Sequence, residues 1–442
     1  MTAGLLATQP PRASVGLLRH ADFLRLWTGQ TVSRFGSQVS LLAIPLIAIT
    51  MLGATPFEVG ALNAAEALPF LLIGLPAGAW VDRLRRRPVL VVADAGRALA
   101  LASIPVAAAL GVLSLTQLYV VALVTGFLTV FFDVAYLSYV PSLVRSDQLA
   151  DANAKLETTS SAAQVAGPGI GGALVQLVGA PFAVAADALS FVFSLVCVLL
   201  IGRPEPDPGV GGTGDRTGVA GIARDVGDGL RHVLGQPHLR SLALGASLLN
   251  VFSSMFGAVV LLFAVRDLRF DAGIIGATLA LGNLGFIAGA LGASAVTARF
   301  GLGRTLVVTI VATAFCVLAI AATPREYAMP WLVGALLVLS ATSMIFNVDQ
   351  LTLRQAITPP RLQGRMHATV RFLAWGAIPV GAMLGGWLGG EIGLRETMWV
   401  AGAGGLLAVL TIAFSPVRSL RTIADAMPAD MPAGVANLGD VG

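Results

Sequence analysis

The sequence predicts an all-α polytopic membrane protein with twelve transmembrane helices arranged as two six-helix pseudo-repeats. Three observations lead to this fold class: the composition, the long apolar runs and the placement of arginine. Hydrophobic residues make up 56% of the 442 residues and charged residues only 12%, whereas soluble domains carry about 25% charged residues. Because the deficit extends along nearly the whole chain, the composition excludes an ordinary soluble domain.

The apolar runs give the number of spans, since each is near or above the roughly 20 residues that a helix needs to cross a bilayer. Six runs precede a polar segment and six follow it, at 22–51, 56–81, 88–110, 116–141, 154–178, 181–202, 240–264, 272–297, 304–323, 328–352, 366–390 and 396–415. The runs 154–178 and 366–390 are the weakest by hydropathy because they are rich in Ser, Thr and Gly.

These runs divide the chain into an N-terminal segment (1–21), a six-helix bundle (22–202), a linker (203–239), a second six-helix bundle (240–415) and a tail (416–442). The linker opens with a Pro- and Gly-rich stretch that cannot pack. Apolar residues then recur from Ile222 to Leu234 at a spacing typical of an amphipathic helix on the membrane surface or on the protein's inner face. We expect the tail to be disordered, and we expect no cleavable signal sequence in the N-terminal segment, which lacks a charged-then-apolar pattern with a cleavage site.

The placement of arginine predicts the orientation of the chain. With a cytoplasmic N-terminus, the outer loops hold only Arg266, Arg269, Arg325 and Arg395, and the inner segments hold the other arginines of the loops. Cytoplasmic loops of membrane proteins are enriched in Lys and Arg. The sequence therefore predicts a multi-pass protein with both termini in the cytoplasm. The arginines form no stripe with interleaved aromatic residues, so we expect no nucleic-acid binding.

Cysteine and histidine are too dispersed for a metal or cofactor site. Cys197 and Cys316 lie inside apolar runs, and the four histidines never cluster. The chain also lacks a phosphate-binding G-x-x-x-x-G-K-[ST] loop. We therefore expect no metal, no cofactor and no ATP-driven pumping, and the absence of converging nucleophile and base groups disfavours a membrane-embedded enzyme.

The two halves of the sequence resemble each other weakly. D-V-A-Y-L at Asp133–Leu137 leads to G-P-G-I-G-G at Gly167–Gly172, and N-V-D-Q-L at Asn347–Leu351 leads to V-G-A-M-L-G-G at Val380–Gly386. Parallel repeats of this kind place a substrate cavity at the midplane between the halves, and access to it alternates by rocking.

The segment between spans two and three carries a specific resemblance, to the major facilitator superfamily and its signature G-x-x-x-D-[RK]-x-G-[RK]-[RK]. The matching residues are Gly78, Asp82, Arg83, Arg86 and Arg87, and Arg85 stands where the signature has its second glycine. The resemblance covers essentially the whole chain and implies that this segment gates the cytoplasmic side. The second-half copy at Thr297–Arg304 has no acid, so only the first copy can act as a full charge latch.

Three further segments resemble the branch of the superfamily that contains siderophore (enterobactin-type) and macrolide exporters. They are the antiporter-like motif in span five (Gly167, Pro168, Gly171 and Gly172), the D-x-x-R at Asp94–Arg97 and the run Leu353–Arg365. The resemblance implies a monomer in the bacterial inner (plasma) membrane. The glycines of span five are also explained by close helix packing alone.

Charges inside spans are functional hypotheses by default, because each costs at least about 2.5–3.5 kcal/mol at mid-bilayer. Arg34 and Glu66 lie near the same depth in adjacent spans, so we expect them to face the cavity or each other. Glu66 is the leading proton carrier, with Arg34 and Asp133 as further coupling candidates; a fixed Arg34–Glu66 ion pair that joins two spans is the alternative. Asp94 and Arg97, together with Asp133 and with Asp82 and Arg83, are expected to form a cytoplasmic charge network that serves in gating rather than in substrate binding.

Neutral polar residues in the spans give the candidates for substrate contact. Spans one, four, seven and ten line the cavity in the major facilitator superfamily, which implies roles for Gln38, Asn250 and Asn347. Hydrogen bonds between helices explain these residues equally well.

The sequence therefore predicts a secondary transporter in a lipid bilayer that exchanges protons for an amphipathic small molecule of drug, macrolide or siderophore type, by alternating access. An importer or uniporter of a small solute on the same scaffold is the alternative. A membrane-embedded enzyme or a transport-dead sensor is a weaker one.

Overall fold

A computed structural model describes residues 17, 20–81, 84–203, 205, 227, 229–359 and 362–426. Within these ranges the chain forms twelve long helices and no strand. In chain order they are α1 (Ala21–Thr50), α2 (Pro56–Val81), α3 (Arg86–Ala109), α4 (Leu115–Leu143), α5 (Leu149–Val178), α6 (Ala180–Leu199), α7 (Pro237–Arg266), α8 (Ala272–Phe300), α9 (Leu302–Ala321), α10 (Ala328–Ile357), α11 (Gln363–Glu391) and α12 (Leu394–Ala413). The last helix is interrupted at Leu406. The prediction of an all-α polytopic membrane protein is confirmed.

Eleven of the helices in the described ranges are long and apolar enough to cross a membrane, and α5 is the exception. The corresponding run in the sequence, 154–178, is one of the two weakest by hydropathy. α5 nevertheless has 30 residues and packs against α1 and α8 along the bundle. Several of its polar residues, namely Asn153, Glu157, Thr159 and Ser160, line the cavity described below, and polar residues of spans are tolerated where they face such a cavity.

The two halves repeat one packing pattern. In the first half α1 packs against α5 and α6, and α3 packs against α4 and α6. In the second half α7 packs against α11 and α12, and α9 packs against α10 and α12. The halves meet where α2 packs against α11 and where α5 packs against α8. We call the face at which the odd-numbered helices begin the arginine-rich face, and the other the opposite face.

The halves are closed against each other at the opposite face by two glycine contacts. A Cβ added to Gly276 would lie 2.7 Å from the Cα of Gly172, and one added to Gly60 would lie 2.9 Å from the Cα of Gly386. Real Cβ atoms do not approach other atoms so closely, so only glycine permits these contacts. Gly60 and Gly276 are each the fifth residue of their helix, and Gly172 and Gly386 are each the twenty-fourth. The closure is therefore symmetric between the halves.

The described end of the linker lies on the protein. Residues 229–235 are helical, Val233 is fully buried, and it joins a core cluster with Met366 and Val370 of α11. Ile222 and Val226, which belong to the same predicted amphipathic helix, lie outside the described residues. At its other end, Glu205 contacts the start of α3. The two ends of the linker are thus attached to different halves.

The prediction of a disordered tail is wrong for residues 416–426. This stretch forms two 3₁₀ turns, and its carbonyl groups accept hydrogen bonds from the backbone N–H groups of Leu302 and Gly303 at the start of α9. Burial of Val417 and Leu420 and satisfaction of these helix-terminal donors give the segment a fixed place. Asp425 caps the turn, and the backbone N–H groups of Thr422 and Arg421 lower its pKa. Residues 427–442 lie outside the described ranges.

Replacement of Gly276 by leucine should force the opposite face open. Overpacking of a tight contact costs on the order of 1–3 kcal/mol, and a cost of about 1.4 kcal/mol, near the lower end of that range, corresponds to a tenfold shift in population. We expect a cysteine introduced at Ser37, in the interior of the first half, to react about tenfold faster with a membrane-impermeant maleimide added at the opposite face. Gly257→Leu is the matched control, because a Cβ at Gly257 meets nothing within 4 Å. Equal labelling rates in the two variants would show that the glycine contact does not hold this face closed.

Candidate functional site

A cavity of about 810 Å³ lies between the two halves. Its lining comes from α1, α2, α4, α5 and α11, and from the parts of these helices that are nearer to the arginine-rich face. The glycine contacts block it from the opposite face. The cavity is therefore reached from the arginine-rich side, which is the inward-facing arrangement if that side is cytoplasmic.

One wall of the cavity is an aromatic cluster that joins the halves. Phe70 of α2 and Trp375 of α11 meet edge to face, with ring centroids 5.0 Å apart. The guanidinium carbon of Arg371 lies 4.2 Å from the Trp375 ring centroid and 5.8 Å from that of Phe70. Stacking of this kind stabilises a cation without neutralising it. The wall can therefore contact an apolar ring and an anionic group of the same ligand.

The lining of the cavity also carries an ion pair between Arg34 of α1 and Asp133 of α4. The guanidinium Nη2 and the carboxylate Oδ1 are 3.6 Å apart, and both side chains remain partly exposed. The sequence predicted that Arg34 would face the cavity or Glu66. In the structure Arg34 lines the cavity, and its ion-pair partner is Asp133 rather than Glu66 because α1 turns this side chain toward α4.

Glu66 lies in a smaller chamber of about 190 Å³ inside the first half. The chamber shares Arg34 and Asp133 with the main cavity, and Arg97 and Asp187 also line it. Glu66 is exposed to this space, and no hydrogen bond or ion pair joins its carboxylate to the part of the chain that the structure describes. The structure therefore gathers Glu66, Arg34 and Asp133 around one connected space.

Asp94 and Arg97 form a buried pair within α3. The Arg97 Nη2 donates to the Asp94 Oδ1 at 2.5 Å, and Asp94 is fully buried. The guanidinium lies between the rings of Phe132 and Phe191, 4.2 Å from each centroid. These contacts fix the packing of α3 against α4 and α6. The predicted contact of this pair with Asp82 and Arg83 falls on two residues outside the described ranges.

The described part of the signature segment is bound to the first half itself. The Glu205 carboxylate accepts hydrogen bonds from the backbone N–H groups of Arg86 at 2.6 Å and Arg87 at 3.1 Å. The Arg87 side chain donates to the Leu199 carbonyl at the end of α6. A carboxylate at a helix N-terminus is favourable because it meets unsatisfied N–H groups and the positive end of the dipole. Glu205 thus fixes the start of α3.

Arg85 can occupy the glycine position of the signature without strain. Its φ is −67° and its ψ is 128°, an extended conformation that any residue adopts. Gly78 lies in the last turns of α2, where a Cβ would meet nothing within 4 Å. The turn therefore does not require glycine at residue 85.

The three neutral candidates do not line either cavity. Gln38 packs against Gly167 of α5, the Asn250 Nδ2 donates to the Ala374 carbonyl at 2.8 Å, and the Asn347 Oδ1 accepts from Gln350 at 2.9 Å. These contacts join α1 to α5, join α7 to α11 and lie within α10. The Asn250 contact is the hydrogen bond between helices that the sequence left as the alternative, whereas Gln38 makes a packing contact and the Asn347 hydrogen bond stays within one helix.

The antiporter-like motif is a two-sided packing strip on α5. Gly167 and Gly171 face Gln38 and Val39 of α1, and Gly172 faces α8. Pro168 lies inside the helix, and its carbonyl is close to Gly276. The motif therefore links the interior of the first half to the contact between the halves.

Sequence reasoning missed several residues of the cavity. Glu157, Phe70 and Trp375 were not selected, and Arg371 was not assigned to the cavity, although all four line it. Glu157 and Arg371 were detectable from the internal repeat, since each is the ninth residue of the fifth helix in its half.

A sequence profile for transmembrane secretion effectors matches residues 13–437. The chain belongs to this family of the major facilitator superfamily. It is 28% identical over 400 residues to the multidrug efflux pump Tap of Mycolicibacterium fortuitum, covering 86% of this chain and 92% of Tap. It is also 28% identical over 400 residues to the enterobactin exporter EntS of Salmonella typhi, covering 86% of this chain and 91% of EntS.

The fold is similar to that of a bacterial homologue of the iron transporter ferroportin in its inward-facing state. The TM-score is 0.72 at 19% identity, over 91% of this chain and 99% of the homologue. The resemblance to the major facilitator superfamily and to drug and siderophore exporters is thus confirmed, and the chain is a multi-pass membrane transporter of bacterial type rather than an enzyme.

Breaking the buried pair in α3 should destabilise the first half. Asp94→Asn leaves the Arg97 guanidinium buried without its nearest counter-charge, and removal of one partner of a buried pair costs about 3 kcal/mol or more. The control is Asp147→Asn, which breaks an exposed pair with Arg145 and should cost less than about 1 kcal/mol. Denaturant unfolding of the purified protein in detergent measures both. Similar losses in the two variants would contradict the structural role of the Asp94–Arg97 pair.

Proposed function

We propose that this chain exports amphipathic small molecules from the cell by alternating access, in exchange for protons. The observation that carries the proposal is the cavity between the halves, open at the arginine-rich face and closed at the other by glycine contacts. Relatives that are drug and enterobactin exporters support outward transport over import or uniport.

The lining of the cavity supports an amphipathic cargo. Aromatic surfaces from Trp27, Phe70 and Trp375 offer contact to apolar rings, while the charges of Asp133 and Arg371 lie in the same space. A ligand of mixed polarity can bury its rings against the aromatic wall and keep its charged groups hydrogen-bonded. We therefore assign the substrate class as amphipathic drug, macrolide or siderophore type.

Proton coupling is assigned to Glu66 together with the Arg34–Asp133 pair. Protonation of Asp133 would remove its attraction for Arg34 and free the guanidinium to turn toward Glu66 in the shared chamber. Uptake of a proton by one carboxylate leaves the other as the remaining anionic partner for the Arg34 guanidinium, so the protonation of the two groups is coupled through the position of this side chain. Cargo that approaches Asp133 and Arg34 from the main cavity would compete for the same charges.

The orientation follows from the arginine-rich face, which we assign to the cytoplasm of a bacterial cell with the protein as a monomer in the inner membrane. The segment Gly78–Arg87 is assigned to gating of this face. Asp94 and Arg97 are assigned to the same role, because this pair fixes the packing of α3, the helix that the segment leads into. Asp82 would act on the second half when the face closes.

Glu66→Gln should abolish proton exchange, because an amide cannot carry the proton. The assay uses inverted vesicles with a pH-sensitive dye and a panel of candidate cargoes, and the expected result is loss of cargo-driven proton movement in the variant. Glu58→Gln is the matched control on the same helix, since Glu58 caps the first turn by accepting from Thr55. Proton and cargo movement that persists in Glu66→Gln would refute the coupling assignment, and uptake driven by the gradient would favour an importer.

The proposed orientation predicts where the linker can be cut. Protease added outside intact cells should leave residues 206–226 uncut, whereas the same protease should cleave them in inverted vesicles. Cleavage in intact cells would show that the arginine-rich face is external.

A further inference from the structure

Glu157 of α5 and Arg371 of α11 face the same cavity from different halves. Both side chains are exposed to it. Arg34 and Asp133, two other charged residues of the lining, already pair with each other. Within the part of the chain that the structure describes, neither Glu157 nor Arg371 has an ion-pair partner within 4 Å. The cavity thus holds one anion and one cation that are not neutralised.

The internal repeat relates these two residues directly. α5 begins at Leu149 and α11 at Gln363, and each is the fifth helix of its half. Glu157 and Arg371 are each the ninth residue of their helix. Asn153 and His367, each the fifth residue, also line the cavity. Parallel repeats are related by an axis along the membrane normal, so equivalent residues lie at equal depth and at equal distance from that axis.

Opposite charges at equivalent positions have a mechanical consequence. At the opposite face, α5 is held to the second half at Gly172, and α11 is held to the first half at Gly386. Rocking that separates these contacts brings the arginine-rich ends of the halves together. Residues at equal depth on either side of the axis then approach each other. A like-charged pair would resist this approach, and the pair of Glu157 with Arg371 favours it.

We propose that Glu157 and Arg371 form an ion pair between the halves that stabilises the state in which the arginine-rich face is closed. In the open state, Arg371 rests on the Trp375 ring, and closure exchanges this contact for the Glu157 carboxylate. The proposal rests on alternating access as the proposed mode of transport, and it adds a latch within the cavity itself, separate from the signature segment.

The latch can be tested by pulsed electron paramagnetic resonance on purified protein in nanodiscs. Spin labels at Asn153→Cys and His367→Cys, with Cys197 and Cys316 replaced by alanine, report the distance between the arginine-rich ends. Glu157→Gln and Arg371→Gln should each lower the short-distance population by on the order of two- to fivefold, the effect of one partly solvated ion pair. The single reversals Glu157→Arg and Arg371→Glu should lower it further.

The double reversal, Glu157→Arg with Arg371→Glu, separates attraction from every other effect of the substitutions. We expect it to restore the short-distance population, because the pair is re-formed with its charges exchanged. Lys155→Gln is the control: it removes a charge from α5 that is paired within the helix to Asp151 at 3.3 Å, and it should leave the distribution unchanged.

An unchanged distribution in the single variants, or a double reversal that remains as open as the single reversals, would overturn the proposal. The measurement needs neither cargo nor a proton gradient. A failure of the latch is therefore distinguishable from a failure of proton-coupled export, which the Glu66→Gln assay detects independently.

Discussion

The structure depends on two places where the backbones of the halves touch. Gly60 with Gly386 and Gly172 with Gly276 allow α2 to meet α11 and α5 to meet α8 without intervening side chains. Contacts of this type draw their stability from van der Waals packing over a small area. They hold one face closed without ion pairs that would have to be desolvated and broken. The cavity, its opening toward the arginine-rich face and the exposure of its charges all follow from this closure.

Ionisable chemistry inside the membrane is concentrated in the first half. Arg34, Glu66, Arg97 and Asp133 surround one connected space there. In the second half, Asp349 is buried and accepts a hydrogen bond from Thr297 at 2.7 Å, so it is held in a fixed contact. The second half contributes mainly α11 to the cavity, with its aromatic and cationic surface. The two repeats share a packing pattern and differ in where their ionisable residues lie.

Properties that depend on one helix were predictable from the sequence, and properties that depend on its rotation were not. Run lengths and the low hydropathy of α5 follow from composition, and the common depth of Arg34 and Glu66 follows from counting residues. The partner of Arg34 and the packing roles of Gln38, Asn250 and Asn347 depend on which face each helix turns inward. Glu205 was missed because its role as a cap for α3 requires the linker to fold back on the first half. Glu157 and Arg371 could have been predicted from the sequence, since the internal repeat places them at equivalent positions in the two halves.

The linker is attached to both halves of the molecule at its two described ends. Glu205 is bound to the start of α3 in the first half, and Val233 is buried against α11 in the second. A chain segment spans at most about 3.3–3.6 Å per residue. The 28 residues from Glu205 to Val233 can therefore reach roughly 90–100 Å, about twice the length of a 30-residue helix, so both anchors can hold, and the start of α3 can stay capped, while the two halves swing at the arginine-rich face.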